Sequence, residues 1–450
     1  MAAVSLTRRT VLKTAALATT AIAAPMVRGA YAAGSLKVGF WDHWVPGANE
    51  VLSKLCNEWA AKEKVDLTID FITSNGDKLI LTQAAEAQAG SGHDVLTFGT
   101  WYAVAHADQL EPMDDVVKSL IATNGKVNSA AEYLGTSEGH WIAVPSVVGS
   151  QIKPPCARID LMKQFCGIDV QKMYPAGGPP DKELVDNWTW DTFLTAAEKA
   201  FKGGYPFGMP FGQISTDATD WIGAVFTSHG AELVDKDGNI TVKSDQVKQV
   251  LEWFKKAVAF FPPDVFAWDD AGNNKWLIAG KGALIMNPPS AWAVAVRDAP
   301  AVGKQLWTFP SPKGPKGRYE PGQPFYWGVW SFSKNKAAAK SLITFLSQRS
   351  SAEQTVAASH GYDLPPYANL LDFKTWETEA PPLGTLYSYP PRYADQIVNI
   401  ANAPAPKKIA NQIYSQATMS KMIAHCTQQS ETIDQAIAWA EQEIEGFMRS

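Results

Sequence analysis

The chain is short of cysteine, has no surplus of basic charge and has no long apolar run. Each shortage removes a class of explanation. There are four cysteines in 450 residues, Cys56, Cys156, Cys166 and Cys426, and their flanks form no metal or redox pattern. A chain of this length needs no covalent staple to hold a core. Lysine and arginine total 40 against 45 acidic residues, a net charge of −5, which argues against nucleic acid as a partner. No stretch is long and apolar enough to span a bilayer, which takes about 20 residues. Signatures of chemistry are missing too. There is no His-Glu-x-x-His and no Walker A loop. The Asp-x-Asp-Gly of VDKDGNITV (residues 234–242) lacks the full ligand set and closing Glu of a calcium loop, and reads as a hairpin with an Asp-Gly turn. No cofactor and no metal ion is expected, and no internal repeat is seen.

What is present begins with TRRTVLK (residues 7–13), an uncharged run TAALATTAIAA (14–24) and small residues at 30–33. A basic start, a short apolar middle and an Ala-x-Ala-like end make a secretory signal peptide, residues 1–33. The paired arginines resemble the twin-arginine export signal. No cysteine lies near the cleavage region for a lipid anchor, so the expected location is the bacterial periplasm. Removing Arg8, Arg9, Lys13 and Arg28 leaves 36 basic residues against 45 acidic ones, a net charge of −9. An oxidising compartment permits a Cys156–Cys166 disulfide. A protein folded before export in a reducing cytoplasm would instead keep four buried thiols, and both readings stand at this point.

After the signal, strand and helix alternate. Residues 36–41 read as a strand, and 48–62 as an amphipathic helix with Val51, Leu52, Leu55 and Trp59 on one face. VDLTIDFI (65–72) alternates as a second strand. Asn75-Gly76 marks a turn, Asp77 is placed to cap a helix over 78–89, and 94–98 is a third strand. Such a series implies a parallel sheet with right-handed crossovers, in which ligands sit beyond the carboxyl ends of the strands. The stretch GFWDHWVPG (39–47) leaves one such end, and Gly99-Thr100-Trp101-Tyr102 leaves another. Helices follow over 188–198, capped by Thr189 or Asp191, and over 246–258, with Val250, Leu251, Phe254 and Val258 on one face. Residues 282–286 and 325–331 read as strands, 311–322 as an exposed loop, and 337–348 as a helix. The remainder reads as helical, with a Pro- and Tyr-rich loop over 381–392.

These landmarks, in this order, resemble the family 1 extracellular solute-binding proteins of ABC importers, the maltose-binding-protein-like sugar type. The resemblance is carried by LKVGFWDHW with the helix and VDLTIDFI after it, and by GHDVLTFGTWY followed by QLEPMDD. EGHWIAVP, AGKGALIM continuing to Trp292, and SKNKAAAK complete it. His93 stands where the family usually has Pro, and Glu111 precedes Pro112 where many members have Leu. The resemblance covers nearly the whole chain after the signal. It implies an α/β, two-lobed periplasmic-binding-protein (Venus flytrap) fold with a hinge of crossing segments. Lobe one is expected over 34–146 plus 287–331, and lobe two over 147–286 plus 332–450. Crossings are expected near 145–148, 286–289 and 330–333.

It also implies the work: a monomeric, non-enzymatic protein that captures a carbohydrate (sugar, oligosaccharide or polyol) between its lobes and delivers it to an inner-membrane ABC permease. Seventeen tryptophans include rings that can stack on the apolar face of a pyranose, while carboxylates and amides fix the hydroxyls. Trp59, Trp253 and Trp439 lie on amphipathic helices and are expected in the core. Trp41, Asp42, Trp44, Thr100 and Trp101 at the first strand ends, with Trp292 and Trp327, are the candidate contacts read from their position. The resemblance adds Asp217 and Trp221 of TDATDW, and Asn287. Two rival readings are a polyamine or other cation binder using Asp42, Asp94 and Asp217, and a secreted glycosidase. The latter needs two carboxylates set about 5 or about 6.5–9.5 Å apart.

Overall fold

The structure is a computed structural model that describes residues 34–175, 178–213, 215–287, 290–378 and 396–449. The signal segment and the 381–392 loop lie outside the described residues. In chain order, the elements that position the site begin with β1 (Ser35–Trp41), α1 (Ala48–Glu63), β2 (Asp66–Ile72), α2 (Lys78–Ala89), β3 (Val95–Gly99) and α3 (Tyr102–Ala105). Next come β4 (Val144–Pro145), β5 (Pro155–Arg158), α4 (Trp190–Lys202), α5 (Thr216–His229), α6 (Asp245–Ala257), α7 (Gly272–Ile278), β6 (Leu284–Met286) and α8 (Ser290–Asp298). Then follow β7 (Leu306–Thr308), β8 (Gly317–Gln323), β9 (Phe325–Val329), α9 (Lys336–Leu346), α10 (Arg349–Ala358), β10 (Gln396–Asn399), α11 (Lys407–Ser415), α12 (Thr418–Thr427) and α13 (Ile433–Arg449).

Local rules account for many of these. In α6 the apolar residues Val247, Val250, Leu251 and Phe254 recur at helical spacing and are all buried, and Ser244 accepts the Val247 amide as its cap. Thr189 rather than Asp191 caps α4, accepting from the Thr192 amide. β1 pairs in parallel with β2 from Ser35↔Asp66 to Trp41↔Ile72 and with β3 at Val38↔Val95. Side chains alternate across a strand, and Leu36, Val38 and Phe40 on one face of β1 are buried while Lys37 on the other is exposed.

One lobe is the five-stranded sheet β2-β1-β3-β9-β4, with β9 antiparallel to β3. The other is built on the three-stranded sheet β7-β5-β6. The expected lobe boundaries need correction in two places. Residues 290–308 belong to the second lobe: α8 packs on α7, and β7 pairs with β5 from Leu306↔Arg158 to Thr308↔Cys156. Residues 336–358 belong to the first: α9 and α10 pack on α1. Helices α12 and α13 return to the second lobe against α6. Only β9 keeps the 287–331 stretch in the first lobe; the chain passes between lobes at 146–153 and 321–325, and a third time between α10 and α12. The first two passages pair with each other, Gly322↔Ile152 and Gln323↔Gln151.

The second half of the expected loop at 311–322 is the strand β8, paired with β10. Its charged residues are buried because they are tied. Glu320 accepts from the Ser311 amide and hydroxyl, both at 2.7 Å, and Arg318 donates to the Val185 carbonyl at 2.9 Å. The Cys156–Cys166 pairing is also overturned: all four cysteines are free and buried. Cys156 sits inside the three-stranded sheet opposite Ile285 and Thr308, whereas the Cys166 thiol donates to the Ala196 carbonyl of α4.

Candidate functional site

The carboxyl ends of β1 and β3 do face the second lobe, but their aromatic side chains are used to build walls rather than to line open space. Trp41 is 3 % exposed and packs between His43, Phe325 and Tyr362. His43 takes the Val45 amide on Nδ1 at 2.9 Å and donates from Nε2 to Asp363 at 3.0 Å, which fixes its tautomer. Asp42 is half-buried and accepts from Asn49 at 2.7 Å; Trp44 is half-buried against the core. Trp101 is fully buried and its indole N–H donates to the Ala401 carbonyl, 2.9 Å away, on the other lobe.

Several candidates are corrected outright as stacking platforms. Trp221 lies within an aromatic cluster with Phe211, Phe254 and Phe261, its N–H bonded to the Pro210 carbonyl. Trp327 is buried on the first sheet beside Phe40. Trp292 is buried on α8 where that helix packs on α7. In each case the ring faces a neighbouring element, because strand and helix ends inside a two-lobed core leave large apolar side chains nowhere else to go.

The polar residues converge instead. Asp217 and Asp220 are three residues apart on α5, so both point the same way, and both meet Lys153. Its ammonium lies 2.5 Å from Asp217 and 2.8 Å from Asp220, with the lysine only 1 % exposed. Burial opposes the lysine's charge, but the carboxylates of Asp217, Asp220 and Asp270 together hold it protonated. Burial pushes the Asp217 carboxyl up to about 7 despite Lys153. Asp217 also accepts from Asn273 at 2.9 Å and Asn287 at 3.1 Å. Asp220 accepts from the Tyr414 hydroxyl at 2.9 Å, and Tyr414 lies against Thr100 of the first lobe. Thr100, Asp217 and Asn287 are thus brought into one network, whereas Asp42 is not part of it. Asp94 lies at the opposite end of β3, bonded to the Lys37 amide and the Ser333 hydroxyl.

Above this network lies an interlobe cavity with about 150 Å³ of room for water-sized molecules. The first lobe contributes Asp77, Ile80, Leu81 and Tyr102. The second contributes Gln213, Ser215, Thr216, Thr219, Tyr414 and Ser415. Asp270 bonds the Ser215 and Thr216 hydroxyls and the Asp217 amide at 2.7, 2.9 and 3.1 Å, anchoring the start of α5. Asp77 occupies the position expected for the cap of α2 but makes no capping bond, because its backbone is left-handed at φ 60°. Burial, then Asp270 and Asp269, raise its carboxyl above the usual range. Asp77 was singled out from sequence only as a helix cap, and Lys153 and Tyr414 were not singled out at all. The Asp217–Asp220 spacing was the available hint for Lys153.

A larger hollow of about 630 Å³, beside Trp190, Trp253 and Lys313, lies on the second lobe alone. A ligand there touches one lobe and cannot favour closure of two. The lobes also meet through Lys407, whose ammonium donates to the Tyr133 and Thr136 carbonyls and sits over the Tyr133 ring, 4.6 Å from its centre.

A profile of the bacterial extracellular solute-binding protein family matches residues 48–353. Among solved structures, the chain superimposes on the maltose-bound protein MalE3 of T. maritima at 17 % identity and a TM-score of 0.71, covering 92 % of this chain and 99 % of that one. A tagatose-bound ABC transporter solute-binding protein of Thermotoga lettingae gives 14 % identity, 0.71, and 92 % and 100 % coverage. A D-mannitol-bound solute-binding protein of Agrobacterium vitis gives 17 %, 0.67, and 93 % and 99 %. At these identities the likeness establishes the two-lobed fold. No curated protein matches.

Proposed function

Since the chain belongs to the family of bacterial extracellular solute-binding proteins, we propose that it captures a carbohydrate, a sugar, oligosaccharide or polyol, in the interlobe cavity and delivers it to an ABC permease from the periplasm. The observation that carries the reading is the cavity itself. Both lobes line it, and it offers hydroxyls from Tyr102, Ser215, Thr216, Thr219, Tyr414 and Ser415 beside the apolar Ile80 and Leu81. Hydroxyl oxygens that can accept, those of Ser215, Thr216 and Tyr414 having given their protons to Asp270 and Asp220, next to a small apolar patch, suit a ligand that alternates C–H faces and hydroxyls. Sugar-bound and polyol-bound relatives of the same fold support the class.

Capture follows from geometry. A ligand touching Asp77 and Tyr102 on one side and α5 and Tyr414 on the other binds the closed arrangement more tightly than the open one, and so shifts the population toward closure. The Trp101–Ala401, Thr100–Tyr414 and Lys407–Tyr133 contacts are then made in the form a permease would recognise. No bond-making step is needed. Asp217 is held by Lys153 inside the second lobe, which leaves no facing pair of carboxylates with Asp42 for glycoside hydrolysis.

A cationic ligand such as a polyamine is the second reading. The proximity of Asp77, Asp269 and Asp270 favours it. Against it, two of its three expected carboxylates are committed elsewhere: Asp94 at the far end of β3 and Asp217 to Lys153. Thermal unfolding of the purified protein with mono-, di- and trisaccharides, polyols, putrescine and spermidine separates the readings. Binding at a hundredfold excess over Kd stabilises by about 2.7 kcal/mol. A shift with one sugar or polyol class is expected; a shift with polyamines alone would replace the carbohydrate reading.

A further inference from the structure

The interlobe cavity has an uneven charge. Asp270 is satisfied by Ser215, Thr216 and the Asp217 amide. Lys153 is enclosed between Asp217 and Asp220 and does not line the cavity. No lysine, arginine or histidine is among the lining residues. That leaves Asp77, reaching in from the first lobe. Among the described residues its carboxylate accepts no hydrogen bond from the helix it precedes and forms no ion pair; the charges that act on it are those of Asp270 and Asp269. A carboxylate half-withdrawn from water and acted on by charges of like sign is a poor arrangement for the protein alone and a strong acceptor for a donor that enters the cavity.

The volume limits what enters. About 150 Å³ of room for water-sized molecules, at roughly 10–15 Å³ per water, is on the order of ten waters. That lies below the roughly 300–1,000 Å³ usual for ligand sites and fits about one or two sugar rings or a short polyol, not an extended chain.

We propose that Asp77 is the specificity-determining acceptor of this cleft: it takes hydrogen bonds from the hydroxyls of a small neutral sugar or polyol and turns away ligands that carry a carboxylate or a phosphate. The inference rests on the carbohydrate reading and narrows it in charge and size. An acidic group in the cavity would face Asp77 with no cation to offset it, at an expected loss on the order of a hundredfold in affinity against the neutral counterpart.

The test is calorimetric titration of the wild-type protein and of Asp77→Asn with matched sets. These are glucose, galactose and mannose, each with its uronic acid, its 6-phosphate and its 2-amino form, together with mannitol, sorbitol, and neutral di- and tetrasaccharides. The expected result is binding of a neutral monomer, disaccharide or polyol, with its acidic forms at least tenfold weaker. Asp77→Asn should weaken the neutral ligand by about tenfold to a hundredfold, as for loss of a charge-assisted hydrogen bond, and should narrow the neutral-to-acidic ratio. A merely structural role for Asp77 would leave that ratio unchanged. Asp77→Glu, which keeps the charge, should retain rejection of the acids even if it binds more weakly. An acidic form binding as tightly as its neutral parent, an unchanged ratio in Asp77→Asn, a preference for the amino form that Asp77→Asn leaves intact, or a tetrasaccharide preferred over its dimer overturns the inference while leaving carbohydrate binding in place. Silence across the whole set overturns the carbohydrate reading and this inference with it.

Discussion

Replacing Lys153 by methionine isolates the cost of the buried charge network. The ammonium lies 2.5 Å from Asp217 and 2.8 Å from Asp220, and all three side chains are buried. Removing one partner of a buried pair costs about 3–5 kcal/mol because the remaining charge is left uncompensated. Asn273, Asn287 and Tyr414 still donate to the carboxylates, which places the expected loss toward the lower end. For a lobe of roughly 150–250 residues each kcal/mol moves the midpoint by about 2–4 °C, so Lys153→Met should lower the second lobe's unfolding midpoint by about 6–12 °C near neutral pH. Calorimetry across pH adds a sign.

The folded Asp217 carboxyl titrates at about 7, above its unfolded value near 3.9. A raised carboxyl contributes stability that is fully present below the unfolded value and is lost as pH rises to about 7. Without Lys153 the carboxyls rise further, so the variant's deficit should be larger at pH 8 than at pH 5. Adding Asp217→Asn and Asp220→Asn to Lys153→Met should recover most of the deficit. If the triple variant is as unstable as the single one, or if the deficit is the same at both pH values, the lost packing of the lysine stem explains the effect and the charge argument is wrong.

Three further predictions concern other parts of the molecule. Trp101→Phe keeps the buried ring but removes the 2.9 Å bond to Ala401; ligand affinity should fall by about fivefold to tenfold, about 1 kcal/mol, and small-angle scattering should show a more open unliganded form. His93→Gln removes the ring held by Glu86 at 2.5 Å and by Asp70 at 3.0 Å. The hydrogen bond to Glu86 raises the His93 pKa, so its stabilisation is full below the unfolded value and is lost as pH rises through the folded one. The variant's deficit, about 1–2 kcal/mol, should therefore show at pH 5–6 in thermal melts and fade at pH 8–9. Burial pushes the Cys56 and Cys156 thiols up to about 12. A thiol reagent should find almost no reactive cysteine in the native protein and four in guanidinium, without prior reduction; two would restore the Cys156–Cys166 disulfide.

How much of this was legible in the sequence depended on range. The helix α2 lies over the residues its pattern indicates, 78–89, and α1 and α6 fall within one or two residues of expectation, because apolar spacing and caps act within a few residues. Asp77 shows the limit of that reasoning. Its type and place fit a cap, but left-handed backbone at Gly76 and Asp77 turns its carboxylate from the helix toward the cleft. The strand-end tryptophans show the same limit. Position at a carboxyl end says that a ring is near the cleft, not whether another element covers it, and Phe325 and Tyr362, hundreds of residues away in sequence, cover Trp41.

The sequence by itself determined the alternation of strand and helix after residue 34, the parallel order of β1, β2 and β3, and, through a series of short stretches, the family. These depend on periodicity and chain order, which every local segment carries. Tertiary structure decided the rest. Lys153 in Gln151-Ile152-Lys153 is unremarkable until α5 sets Asp217 and Asp220 against it. Residues 290–308 join the second lobe only because β7 finds β5. The cavity exists only where α2 and α3 of one lobe meet α5 and α11 of the other. Such contacts join residues far apart in the chain, and their energies come from burial and charge that no single segment possesses until the lobes are assembled.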